Sequence, residues 1–104
     1  LKEVGEEADG QSIKLSMGDQ FLIRLGENRT TGFRWELESR GAPVCELVDS
    51  IEPKTSGRAG EGGVHAWKFQ AAQHGETTIS LHYQRPWEKK TPERKFTLHV
   101  SVSK

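Results

Sequence analysis

Cys45, the histidines His65, His74, His82 and His99, and the pair Thr30-Thr31 are the residues of this 104-residue chain whose types invite chemistry. A cysteine beside a histidine makes a nucleophile, and histidines grouped with a third ligand hold a metal. Neither arrangement is supported by the spacing. Cys45 falls among Val44, Leu47, Val48 and Ile51, where a thiol acts as a small buried hydrophobe and no base can be assigned to it. His82 and His99 share the outward parity of two strands and are candidate neighbours, but no third ligand stands at a suitable distance in sequence. His65 and His74 carry no specific signal. The expectation is a protein that is not an enzyme, with no catalytic residues, metal or cofactor.

Three short segments are more informative. The first is Asn28-Arg29-Thr30-Thr31-Gly32, followed by Phe33. On its own it reads as a hairpin loop in which Asn28 or Gly32 takes a positive φ and the hydroxyls bond nearby backbone. Asn28-Arg29-Thr30 is also an N-glycosylation acceptor pattern, and a glycan there would cover the loop. The second segment, Gly60-Glu61-Gly62-Gly63, is either the end of a long loop or a place where backbone meets a partner closely, since no Cβ stands in the way. The third is Arg85-Pro86-Trp87, in which proline stiffens a strand end and sets an aromatic beyond the alternating pattern. Trp87 is there either a lid on the core or an exposed anchor, and Trp and Arg dominate the energetics of many interfaces.

Strands must position these segments, because alternation of period two runs through most of the chain and no helical period is sustained. The apolar sets are Ile13, Leu15, Met17; Phe21, Ile23, Leu25; Phe33, Trp35, Leu37; Trp67, Phe69, Ala71; Ile79, Leu81, Tyr83; and Phe96, Leu98, Val100, Val102. The less regular residues 44–51 read as an irregular or edge strand. Lettered A to G, these strands predict an all-β immunoglobulin-like sandwich of about seven to eight antiparallel strands. If successive strands run up and down, connections of one parity share an end. The BC loop (28–32), DE loop (53–62) and FG loop (85–94) should then cluster at one end, and the plainer turns at the other.

Length and charge limit the partners. The chain suits a single domain, residues 1–104, with residues 1–10 expected to form a flexible N-terminal segment. Fifteen basic residues balance fifteen acidic ones, so no overall field attracts nucleic acid or an anionic membrane. Mean hydropathy is −0.72, and no apolar run approaches the length of a membrane-spanning helix. The chain therefore reads as a soluble monomer, mature or trimmed. Its compartment stays open between a periplasmic or secreted location, after loss of a leader, and the cytoplasm.

Taken in order, the three segments resemble the chagasin family of inhibitors of papain-like cysteine peptidases. That family carries an N-P-T-T-G-aromatic loop, a G-x-G-G loop and an R-P-W loop on an immunoglobulin-like sandwich. Trp67-x-Phe69 also fits its pattern, and the resemblance runs from about Gly18 to the C-terminus. Arg29 departs from it, standing where the family usually has proline. The resemblance implies a reversible, non-covalent block of the peptidase cleft. The loop of Asn28, Arg29, Thr30, Thr31 and Gly32 would enter it, with Phe33 counted among the peptidase-binding residues; Gly60, Glu61, Gly62 and Gly63 would line one side, and Arg85, Pro86 and Trp87 the other. A competing reading is an immunoglobulin-like module that binds peptide or glycan with the same loop end.

Overall fold

The computed structural model describes residues 2–27, 33–51, 63–85, 87 and 94–104. Among these residues there are eight strands: β1 (Lys2–Val4), β2 (Ser12–Ser16), β3 (Gln20–Glu27), β4 (Arg34–Arg40), β5 (Cys45–Ile51), β6 (Gly63–Ala71), β7 (Gly75–Gln84) and β8 (Arg94–Ser103). A 3-10 turn, Glu6–Ala8, joins the first two. They form two four-stranded sheets, ordered β1-β3-β6-β5 and β2-β8-β7-β4. Strands A to G of the sequence are β2 to β8.

The alternating sets face one another across the sandwich. Phe21, Ile23, Leu25 and Phe69 from one sheet meet Ile79, Leu81, Phe96 and Leu98 from the other, all essentially inaccessible to water. Cys45 is fully buried, as its apolar neighbours require. Met17 is not part of this core: β2 ends at Ser16, and Met17 lies half-exposed in the turn. The segment read as irregular is indeed an edge strand. β5 shifts register between Leu47 and Asp49, a bulge that leaves Val48 and Ile51 half-exposed.

Two expectations need correction. Residues 2–8, expected within a flexible segment, instead form β1 and the 3-10 turn, with Val4 and Ala8 buried. The strands are also not all antiparallel. β1 pairs with β3 and β2 with β8 in parallel, while the other four pairings described are antiparallel. The cause is parity, since each connection reverses the chain and strands an even number of connections apart run the same way. Alternation reveals a strand's buried face but not its neighbour.

The plain end is closed by backbone hydrogen bonds: Gly18 N–H donates to Ala71 C=O, Ala71 N–H to Asp19 C=O and Ala72 N–H to Val44 C=O, each at 2.8 Å. Gly41 turns there with φ +76°, and a Cβ on it would lie 3.0 Å from Thr77 Cγ2 and 3.1 Å from Ile79 Cγ1. Glycine is thus required both by conformation and by space.

Candidate functional site

Register brings the three loop stems to the other end. Glu27 pairs with Gly63 at the limits of β3 and β6, and Ile51 with Ala66 beside them, so the BC and DE stems share one sheet edge. In the second sheet Arg34 pairs with Gln84 and Tyr83 with Arg94, which places the far BC stem beside both FG stems. Asn28, Arg29, Thr30, Thr31, Gly32, Gly60, Glu61, Gly62 and Pro86 lie outside the described residues. Phe33, Gly63, Arg85 and Trp87 can be placed.

An aromatic and cationic stack joins the BC and FG stems. The Arg85 guanidinium sits 4.5 Å from the Phe33 ring centroid, and Phe33 stacks on Tyr83 at 5.3 Å. Tyr83 in turn packs at 4.9 Å against Trp35, over which the Arg94 guanidinium lies at 5.5 Å. Arg94 Nη2 then donates to Glu6 Oε2 at 3.1 Å, which ties the 3-10 turn to the same end. Each cation over a ring contributes about 0.5–2 kcal/mol, depending on how far it is desolvated. Phe33 and Arg85, read from the motifs as contact residues, are half-buried within this stack. Trp87 is 69% exposed, which rules out a lid on the core and leaves its ring available to a partner.

A second cap covers the core on the other sheet, and it escaped the sequence reading. Glu27 and His65 are both buried. Glu27 Oε1 accepts the Trp35 backbone N–H at 2.7 Å, while Trp35 Nε1 donates to Gly26 C=O at 2.8 Å. His65 stacks on Trp67 with centroids 3.9 Å apart; its Nε2 lies 3.0 Å from Ser50 Oγ and its Nδ1 3.4 Å from Glu27 Oε2. The Nδ1 makes no hydrogen bond among the described residues. The signal was available in the sequence. Glu27 extends the inward parity of Phe21, Ile23 and Leu25, and His65 that of Trp67, Phe69 and Ala71, and polar residues at core positions need partners.

Ser50, His65 and Glu27 thus follow the order of a nucleophile, base and carboxylate, but the His65–Glu27 step is not a hydrogen bond. The Ser50 N–H, which could serve an oxyanion, is instead engaged by Asp49 Oδ1 at 2.8 Å. The arrangement fits a buried polar cap in which Ser50 reaches His65 Nε2 and the His65 Nδ1 is left without a hydrogen bond among the described residues. The suggested histidine pair does not form: His99 lies opposite Thr78, with Nδ1 3.1 Å from its Oγ1, while His82 lies opposite Lys95 and 3.7 Å from Glu38. Among the described residues no group of three or more His, Cys, Asp and Glu could hold a metal. Nor is any described helix long and apolar enough to cross a membrane.

Fold and site together define a β-sandwich in which the stems of the three motif-bearing segments converge at one braced end, consistent with a protein inhibitor rather than an enzyme scaffold. Residues 14–102 match the family described as chagasin family peptidase inhibitor I42, and the chain belongs to that family. It is 34% identical over 100 residues to Amoebiasin-2 of Entamoeba histolytica, covering 93% of this chain and 81% of that one. It is 25% identical over 101 residues to Chagasin of Trypanosoma cruzi, covering 91% and 92%. The crystal structure of the cysteine protease inhibitor EhICP2 from Entamoeba histolytica superposes with a TM-score of 0.85 at 31% identity, covering 98% of this chain and 95% of that one.

Proposed function

We propose that this inhibitor blocks papain-like cysteine peptidases reversibly by seating its loop end across the active-site cleft. Residues 28–32 enter beside the catalytic cysteine, with Gly32 admitting an approach that a side chain would prevent. Residues 60–63 lie along one wall of the cleft. Arg85, Pro86 and Trp87 lie along the other, with the Trp87 ring as the aromatic anchor. The loop occupies substrate space without offering a bond in productive geometry, so the chain leaves uncut.

The observation that carries this reading is the braced end itself, where the stems of all three motif-bearing loops converge and Trp87 remains exposed. Stems fixed on a rigid sandwich keep the ordering cost of binding low, and an interface of standard size, about 1,600 Å², is then enough for tight association. Titration of papain with the protein tests the reading. Stoichiometric loss of activity with the inhibitor chain intact is expected. Full activity at micromolar inhibitor, unchanged by Arg29→Pro, would overturn it.

A further inference from the structure

We propose that Glu27 is a positioning residue for the inhibitory loop, a carboxylate clasp that fixes the separation of the two stems of residues 28–32. The proposal rests on the inhibitory reading of that loop. Glu27 is the last residue before the segment, and its Oε1 receives the Trp35 N–H from just beyond it at 2.7 Å. The clasp crosses between sheets, because Glu27 ends β3 and Trp35 belongs to the edge strand β4 of the opposite sheet. An edge strand has a row of amides with no ladder partner, and here one of them is taken up by a side chain from across the sandwich. The indole of Trp35 closes a second link to Gly26 C=O at 2.8 Å. The two stems are thus joined by two short bonds.

His65 makes the clasp sustainable. A carboxylate buried to this degree needs compensating polarity. His65 Nδ1 faces its other oxygen at 3.4 Å, held there by Ser50 on β5 and by the Trp67 ring. Three strands, β3, β5 and β6, each contribute one polar side chain to this cap, and β4 contributes the amide that it holds.

Removing the clasp should loosen the loop without dismantling the fold. The test compares Glu27→Ala, Glu27→Gln and, as a stability control at the far end, Cys45→Ala. Each is titrated against papain, followed for cleavage of the inhibitor chain, and measured for amide exchange at Trp35 in the free protein. Glu27→Ala should weaken inhibition tenfold or more, expose the chain to slow cleavage and speed exchange at Trp35. Glu27→Gln, which keeps an oxygen acceptor of the same reach, should stay within about threefold of the native protein and remain uncut. Cys45→Ala should lower thermal stability while leaving inhibition unchanged. Native inhibition by Glu27→Ala, or an equal loss in Cys45→Ala at matched thermal stability, would overturn the proposal. If the native protein itself fails to inhibit, the inhibitory reading falls, and unchanged exchange at Trp35 in Glu27→Ala would then sink the clasp separately.

Discussion

Trp87 and Cys45 lie at opposite ends of the sandwich and at opposite extremes of exposure, and each yields a prediction at the scale of one side chain. With 69% of its surface open, Trp87 contributes little to the fold, so Trp87→Ala should leave thermal unfolding almost unmoved. Against papain it should cost about 2 kcal/mol or more, roughly 30-fold in the inhibition constant, as central aromatic anchors do. A loss below threefold would remove it from the anchor role. Cys45 behaves in the contrary way, since burial pushes its thiol up from 9.0 to about 11. The folded chain holds this proton more tightly than the unfolded one. The thiol's share of stability is therefore complete below pH 9 and is lost as pH rises from about 9 through 11. Urea midpoints of the native protein should fall more steeply over that window than those of Cys45→Ala, and iodoacetamide at pH 8 should label the thiol only on unfolding.

At the scale of elements, what the sequence disclosed and what it hid follow one rule. Alternation exposed six strands, β2 to β4 and β6 to β8, because each buries one face in a shared core and so needs an apolar residue at every second place, while β5 showed only as a less regular apolar segment. β1 was hidden because a three-residue edge strand, Lys2–Val4, needs only Val4 to face inward, too short a signal for any period. Glu27, His65 and Ser50 were hidden for a different reason. Parity marks Glu27 and His65 as polar residues at core positions, but Ser50 is exposed on the edge strand β5, and the partners of all three come from other strands, which no local pattern records. The loops were legible as motifs rather than by physics, and the stack from Arg85 to Arg94 became apparent only once register set β4 beside β7. The N-terminal elements also carry a prediction. Removing residues 1–9 takes away the β1–β3 pairing, the burial of Val4 and Ala8 and the Glu6–Arg94 contact. The loss in urea-measured stability should be about 2 kcal/mol, the scale of one well-buried aliphatic side chain, whereas a flexible tail would cost nothing.

For the molecule as a whole, charge is balanced in number but not in position. Residues 85–95 carry Arg85, Lys89, Lys90, Arg94 and Lys95 against Glu88 and Glu93, a net charge of +3, so the remaining residues of a neutral chain sum to −3. The positive segment begins and ends at the loop end, because both of its stems, at Tyr83 and Arg94, are paired there. A neutral protein built this way approaches its target as a dipole, and its field is felt only within about 8–10 Å at physiological salt. Charges at the rim of an interface govern the encounter more than the lifetime of the complex. With a peptidase whose cleft rim is acidic, the association rate should fall several-fold between 10 and 150 mM salt while dissociation stays constant. Lys89→Glu combined with Lys90→Glu takes the segment from +3 to −1 and should reverse that salt dependence, leaving dissociation within about twofold of native. Stopped-flow association with surface-resonance dissociation separates the two rates. If the double variant instead dissociates much faster with an unchanged association rate, these lysines belong to the buried contact and the dipole plays no part in the encounter.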